Sequence, residues 1–323
     1  MNTTKRISSI SPSLTLAITA KAKAMKAEGK SVIGFGAGEP DFNTPQHIID
    51  AAKDALDKGY TKYTPSSGLP ELRKKIAAKL KEEQGLDYDM SQIVVSSGAK
   101  HSIFNAMFAL VEDGDEVIIP APYWLTYPEV VKVCGGKSGF VEGRKENHFK
   151  ISPDDLKKAI TPKTKLLVFN SPSNPTGAVY TEEEIRAIGK VVEEAGIWVI
   201  SDEIYSKLIY DGVQHFSIAR VSEKVKEHTV VIDGVSKTYA MTGWRIGWLA
   251  APKDVAKAID SFQSHATSNP STVSQYATLA ALNGSEEELI KMRGIFNDRR
   301  KFMIERIRAI EGLDCIEPDG AFY

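Results

Sequence analysis

Hydrophobic residues in the middle of the chain occur in short, regularly recurring runs. Apolar and β-branched residues dominate positions 93–96, 116–119, 165–169, 197–201 and 229–232. Amphipathic or capped stretches separate these runs, so the pattern predicts strands that alternate with helices. This alternation is typical of an α/β fold in which a mostly parallel sheet lies between helices.

Capping residues mark several helix ends. Thr181, with Glu184 three residues later, forms a capping box that predicts a helix ending near Gly196. A glycine near the end of a periodic stretch is a common stop signal. Such glycines close three further predicted helices, at residues 45–58, 69–84 and 286–310.

The length of 323 residues suggests about two domains. The alternating region predicts a large domain at residues 45–284, and residues 1–44 and 285–323 are assigned to a smaller α+β domain. After the last helix we predict a strand at 314–317, a turn at 318–320 and the start of a strand at 321–323. One helix and two strand fragments are a small set for a domain, so we expect its C-terminal part to be missing.

Composition excludes several classes of protein. With 41 Lys and Arg against 42 Asp and Glu, the net charge is -1, and no overall field attracts nucleic acid or anionic lipid. Cys134 and Cys315 are the only cysteines, so the chain cannot build a disulfide framework or a cysteine metal cluster, and a reducing cytoplasm is expected.

Two segments resemble targeting or membrane sequences. The uncharged run at 7–20 follows Lys5 and Arg6, but its apolar core at 14–18 is too short for a secretory signal and predicts the start of a helix. Residues 261–285 lack charge but are rich in Ser, Thr, Asn and Gln, which are costly in hydrocarbon. We expect no membrane span.

Polar clusters lie at the ends of the predicted strands, where an open parallel sheet binds its ligands. Residues 96–100, SSGAK, lead from a strand into a helix, an arrangement that binds phosphate or serves as an ordinary tight turn. Residues 170–177, NSPSNPTG, contain two prolines that stiffen the loop and present Asn174 at a fixed place. The alternative is a simple Asn-Pro turn.

Two further clusters carry charge. Asp202 leaves a strand apolar enough to be buried on both faces, so it either faces a bound cation or caps a helix. Lys237 and Arg245 lie eight residues apart in a loop of small residues. A lysine in such a loop can act as an amine nucleophile, and an arginine can bind a phosphate with two hydrogen bonds. The alternative is that both are surface cations whose apolar stems lie along the protein.

The order of these clusters resembles that of pyridoxal-phosphate enzymes of the aspartate aminotransferase family, which have fold type I. The most specific match is SKxxxMTGWRIG at 236–247, the lysine signature of class I aminotransferases. GAGEPDF at 36–42, YTP at 63–65 with Gly68, and SNPTG at 173–177 match the same family in order. The resemblance covers essentially the whole chain.

The resemblance implies a role for each matched residue. Lys237 is expected to hold pyridoxal 5′-phosphate as a Schiff base and to move a proton at the substrate Cα; with Asp202 and Tyr205 it forms the expected catalytic set. Asp202 is expected to keep the pyridine nitrogen protonated. Tyr205 and Asn174 are expected to hydrogen-bond the phenolic oxygen, and Trp124 to stack on the ring. The phosphate contacts implied are Arg245, Gly98, Ala99, Ser236 and, from a neighbouring subunit, Tyr63.

The same resemblance implies a homodimer with shared active sites that acts on amino acids and 2-oxo acids. Gly38 is expected beside the substrate α-carboxylate, and the implied substrate contacts also include Trp124 and Asn174. Lys100 and Thr15 are placed like residues that contact a distal carboxylate, which favours L-aspartate with 2-oxoglutarate, as in the Bacillus-type branch. Lys100 serving the phosphate instead is the open alternative.

Two departures from the family pattern are visible. Position 234 is Gly where some branches have a phosphate-binding Ser, so one contact is expected to be absent. Family members extend roughly seventy residues beyond a segment like 320–323, judging by the length of a complete second domain. That part carries the arginine that binds the substrate α-carboxylate. For a protein that ends at Tyr323 we expect cofactor binding to survive and transamination to be severely weakened.

Other activities use the same cofactor residues. Transamination of aromatic or other amino acids, racemisation and β-elimination all remain open alternatives, because Asp202, Lys237 and Arg245 serve each of them. A non-catalytic sensor or regulatory member of the fold is a further alternative. The presence of Lys237 and the lack of a basic patch argue against it.

Overall fold

The structure is a computed structural model, and it describes residues 3–36 and 38–323. Ala37, in the motif at 36–42, lies outside the described residues, as do the first two positions of the predicted small domain. In the described part of the chain, the strands are β1 (Ile93–Ser96), β2 (Glu116–Ala121), β3 (Lys137–Glu142), β4 (Thr164–Asn170), β5 (Trp198–Asp202), β6 (Thr229–Gly234) and β7 (Gly247–Ala250).

These strands form one sheet in the order β1-β7-β6-β5-β4-β2-β3. Strand β7 pairs antiparallel with β1 and with β6, and the other neighbours pair in parallel. The predicted α/β fold with a mixed, mostly parallel sheet is therefore confirmed.

The helices of the described residues lie between and around the strands. They are α1 (Lys5–Ser8), α2 (Leu14–Ala27), α3 (Gln46–Asp57), α4 (Pro70–Gln84), α5 (Ala99–Leu110), α6 (Thr126–Val133), α7 (Pro153–Ala159), α8 (Glu182–Ala195), α9 (Glu223–Lys226), α10 (Lys253–Ala266), α11 (Thr272–Asn283) and α12 (Glu287–Arg308). The capping box at the start of α8 is confirmed, and Gly196 ends that helix in the left-handed region at φ 64°. The predicted helices α3, α4 and α12 agree with the structure to within about two residues.

Two strands were not predicted. Strand β3 lies at the edge of the sheet and is mostly exposed, so it has no apolar run to reveal it. Strand β7 has four residues and directly follows the glycine-rich segment of the lysine signature.

The predicted strands at 314–317 and 321–323 are wrong, as is the turn between them. Residues 313–319 are irregular, Gly320 forms one isolated bridge with Ile209, and a turn follows. Arginine side chains of α12 bind the backbone carbonyls of this segment: Arg308 donates to Cys315 and Arg300 to Pro318. These carbonyls therefore bond to side chains where a strand would bond to a neighbouring strand.

Both faces of the central strands are buried. On β5, Val199 belongs to the core that contains Ile188 and Val192 of α8, whereas Ile200 belongs to the core on the opposite side, with Ile103 of α5. Successive strand residues point to opposite faces, so helices cover the sheet on two sides. Because both faces of these strands are buried, polar side chains such as Asn170 and Asp202 lie at the strand ends. Across the described ranges, no helix is both long enough and apolar enough to cross a membrane.

Candidate active site

A cleft of about 990 Å³ lies where β4 and β5 end, and Asn170 and Asp202, the last residues of those strands, line it. Helices α2, α5 and α12 and the segment after β6 supply other parts of its wall. Most of the predicted site residues meet in this cleft. They are Thr15, Gly38, Ala99, Lys100, Trp124, Asn174, Asp202, Tyr205, Ser236, Lys237 and Arg245.

Gly98 lies directly behind the cleft wall, at the start of α5. Its φ is 93°, and a Cβ there would lie 2.5 Å from Nη2 of Arg245. Arg245 donates from Nη1 to the carbonyl of Thr242 at 2.9 Å, which holds its guanidinium beside the helix terminus. Backbone N–H groups, a helix N-terminus and a guanidinium together form a cradle suited to a phosphate.

Lys237 follows β6 and is half-buried in the cleft. Its Nζ donates to the carbonyl of Gly38 at 2.6 Å. The pKa of Lys237 is lowered to about 8, mainly by burial and also by the positive charges of Arg245 and Lys100, while the carboxylates of Glu39 and Asp202 act in the opposite direction. A lysine with this pKa is partly neutral near pH 7, so its nitrogen can act as a nucleophile or base.

Asp202 is 3% exposed, and burial raises its pKa to about 6. The hydroxyl of Tyr127 donates to Oδ2 at 2.7 Å and the N–H of Ile204 to Oδ1 at 3.2 Å, and both bonds oppose that rise. A turn follows β5, so Asp202 does not cap a helix. A buried carboxylate at a cleft wall suits a cationic group in the cleft.

Asn174 and Tyr205 converge on one oxygen. Nδ2 of Asn174 donates to the hydroxyl of Tyr323 at 3.2 Å, and the hydroxyls of Tyr205 and Tyr323 are 2.9 Å apart. The backbone N–H of Asn174 donates to Oδ1 of Asn170 at 2.8 Å, which fixes the loop. A Cβ at Gly38 would lie 2.7 Å from the same Tyr323 hydroxyl, so a larger residue there would displace the Tyr323 side chain.

The opposite wall carries Trp124 and Lys100. Nζ of Lys100 lies 4.7 Å from the centroid of the Trp124 ring, a cation–π contact. Burial lowers the pKa of Lys100, with a further contribution from Arg245. Because Arg245 is close enough to act on Lys100, both proposed roles of this lysine, towards a phosphate or a distal carboxylate, stay open. Thr15 lines the cleft from α2.

Tyr63 is the predicted site residue that lies apart from the others. Its side chain is 89% exposed, and it does not line the cleft of its own chain. This placement does not test the predicted contact with a neighbouring subunit.

Three residues of the site were missed. Asn170 is the first residue of the polar cluster at 170–177, and its position at the end of an apolar strand indicates a place in the site. Tyr127 had no such signal, because its contact with Asp202 depends on how α6 packs against β5. Tyr323 contacts Tyr205 because the segment at 313–319 is irregular and not the predicted strand and turn.

Residues 30–323 match the family described as aminotransferase class I and II. The aspartate aminotransferase of Bacillus subtilis (strain 168) is 55% identical over 323 residues, which are 100% of this chain and 82% of that protein. The aspartate aminotransferase of Geobacillus stearothermophilus is 53% identical with the same coverage. The crystal structure of the aspartate aminotransferase from Rhizobium meliloti superposes with a TM-score of 0.96 at 44% identity, covering 99% of this chain and 80% of that one.

Proposed function

Because the chain belongs to the class I and II aminotransferase family, we propose that it is a pyridoxal-phosphate-dependent aspartate aminotransferase. It transfers the amino group of L-aspartate to 2-oxoglutarate, giving oxaloacetate and L-glutamate, by a ping-pong mechanism. The observation that carries the proposal is the meeting of Lys237, Asp202 and Arg245 in one cleft, in a chain 55% identical to the Bacillus subtilis aspartate aminotransferase.

The donor set suits pyridoxal 5′-phosphate. The cradle between Arg245 and Gly98, which a Cβ would fill, matches a phosphate, and Asp202 offers a buried carboxylate to the ring nitrogen. Lys237 offers an amine to the aldehyde. When bound, the cofactor supplies an electron sink for the bond electrons of the substrate Cα.

Lys237 both holds the cofactor and moves the proton. Once the substrate amine has displaced it, Nζ of Lys237 would take the proton from the substrate Cα and deliver it to the imine carbon of the bound cofactor. Its pKa of about 8 leaves part of the amine neutral at pH 7, which this role as a base requires.

Neighbouring side chains hold the ring in place. Asp202, with Tyr127 behind it, keeps the ring nitrogen protonated, and Trp124 stacks on the ring. Tyr205 and Asn174, which already converge on one hydroxyl oxygen, hydrogen-bond the phenolic oxygen of the cofactor.

The substrate specificity rests on Lys100 and Thr15, which we place against the distal carboxylate, with Gly38 beside the α-carboxylate. Replacement of Lys100 by Ala is expected to reduce kcat/KM for aspartate more than for alanine. An unchanged preference for dicarboxylates refutes this role.

The assembly and location belong to the same proposal. We propose a homodimer in which Tyr63 reaches the cofactor phosphate of the second subunit, and a cytoplasmic location. Residues 45–284 are proposed as the large cofactor domain, with 1–44 and 285–323 contributing to a smaller one.

The visible absorption spectrum tests cofactor and chemistry together. We expect a band from covalently bound cofactor that L-aspartate removes and 2-oxoglutarate restores. Lys237→Ala is the matched control, and it lacks the band. A protein that stays colourless after reconstitution refutes the enzyme proposal.

Product analysis separates transamination from elimination. Transamination conserves amino groups, so glutamate appears in step with oxaloacetate. Release of ammonia and pyruvate from a β-substituted alanine such as L-serine would instead establish a lyase. A protein that binds the cofactor but neither transfers nor eliminates amino groups would support the regulatory alternative.

A further inference from the structure

The loop at residues 61–69, which carries Tyr63, is held on alternate residues. The carbonyl of Lys62 accepts from Oγ1 of Thr272 at 2.7 Å, and that of Ser66 accepts from Nε2 of Gln263 at 2.7 Å. Between them, Oγ1 of Thr64 accepts from Nε2 of Gln275 at 3.2 Å. The anchored residues lie against α10 and α11, whereas Tyr63 is 89% exposed. These bonds hold the chain on both sides of Tyr63, while the side chain of Tyr63 itself projects into solvent.

Gln275 of α11 is one of the two glutamines that anchor the loop, and it is fully buried at 0% exposure. Its Nε2 donates to Oγ1 of Thr64 and to the carbonyl of Pro270 at 2.9 Å. Its Oε1 accepts from the N–H of Leu69 at 2.7 Å. Both amide hydrogens and the amide oxygen are therefore used, and an apolar residue of similar size leaves buried groups of the loop without partners.

Gln263 of α10 is the second anchor and is also 0% exposed. Its Nε2 binds the carbonyls of Ser66 and Val95, while its Oε1 accepts from Oγ of Ser96 at 2.8 Å and Nδ2 of Asn105 at 2.9 Å. Strand β1 leads directly into the phosphate cradle at 97–99. One amide group thus joins the loop of Tyr63 to the strand and the helix on either side of the cradle.

We propose that Gln263 and Gln275 are positioning residues that fix Tyr63 as a hydrogen-bond donor to the cofactor phosphate of a second copy of this chain. The proposal rests on the proposed function, which supplies the cofactor and the dimer. The physical reason is preorganisation: a loop whose backbone is already held in place loses less conformational entropy when the phosphate binds Tyr63.

A double-mutant cycle tests whether Gln275 acts through Tyr63. The dissociation constant of pyridoxal 5′-phosphate is measured for the apoprotein of the parent, Gln275→Met, Tyr63→Phe and the double variant. We expect each single change to weaken binding about tenfold, the effect of one hydrogen bond to a charged group. Combined with Tyr63→Phe, the Gln275→Met change is expected to add less than a further twofold loss.

The controls address folding. Thr278→Val, three residues further along α11, removes a buried hydroxyl that bonds within the helix to Ser274 and is expected to leave cofactor affinity unchanged. Thr64→Val removes the acceptor for Gln275, and with it the bond that Oγ1 donates to the carbonyl of Pro65 at 3.1 Å. It repeats the cycle in a milder form if Gln275→Met does not fold. If the losses of cofactor affinity in the two single variants multiply in the double variant, the proposal is overturned. It is also overturned if Thr278→Val loses as much affinity as Gln275→Met.

Failure of the inference and failure of the proposed function give different results. If Tyr63→Phe leaves the cofactor affinity unchanged, Tyr63 does not bind the phosphate and the inference is refuted, whereas the absorption band that depends on Lys237 still supports the function. Loss of that band in the parent protein refutes both.

Discussion

Replacing Tyr127 by Phe removes one hydroxyl and leaves the buried ring in place. In the structure that hydroxyl donates to Oδ2 of Asp202 at 2.7 Å, and both side chains are at most 3% exposed. The change therefore acts on the carboxylate that we assign to the ring nitrogen of the cofactor, with little change in packing volume.

The magnitude follows from the strength of that bond. A hydrogen bond to a charged group contributes about 1.5–3 kcal/mol, and one pH unit of pKa corresponds to 1.36 kcal/mol. Without Tyr127 the pKa of Asp202 is expected to rise from about 6 to roughly 7–8. At pH 7 the ionised fraction of Asp202 then falls from about 90% to roughly 10–50%.

Cofactor affinity measured across pH is the assay. Ionised Asp202 binds the protonated ring nitrogen, so affinity in the parent protein rises as pH increases through about 6. In Tyr127→Phe the same rise is expected at roughly pH 7–8. Asp202→Asn, which cannot ionise, is the control that isolates this step from the ionisation of the cofactor and of Lys237. A step at the same pH in parent and Tyr127→Phe would show that Tyr127 does not hold the charge on Asp202.

Three other predictions follow from the same geometry. Because the pKa of Lys237 is about 8, its reaction with the cofactor aldehyde, trapped with borohydride and measured by mass, is expected to accelerate up to that pH and then to level off. Gly98→Ala places a Cβ 2.5 Å from Nη2 of Arg245 at a φ of 93°, so cofactor affinity is expected to fall at least about tenfold with the circular dichroism unchanged; equal affinity would remove Gly98 from the cradle. Leu167→Ala in the core, 0% exposed, is expected to lower the free energy of urea unfolding by about 2–5 kcal/mol, against about 0.5 or less for Leu16→Ala at 68% exposure; similar losses in both would contradict the assigned core.

Most of the central fold was predictable because its cause is local in the sequence. Strands β4, β5 and β6 are buried on both faces, so their central residues form apolar runs in the sequence. The capping box of α8 lies within four consecutive residues. Strand β3 has one buried residue and an exposed edge, and it therefore leaves no such pattern.

The sequence by itself also predicted most of the residues that line the cleft, because the lysine signature at 236–247 and the segments at 36–42 and 173–177 are contiguous motifs. Only the tertiary structure decided the electrostatics of Asp202 and Lys237, since burial and neighbouring charges come from segments far apart in the chain. The bond from Tyr127 to Asp202 and the convergence of Asn174 and Tyr205 on Tyr323 likewise depend on how distant elements pack. A residue pattern records its neighbours along the chain, whereas a pKa or a hydrogen bond depends on every atom nearby in space.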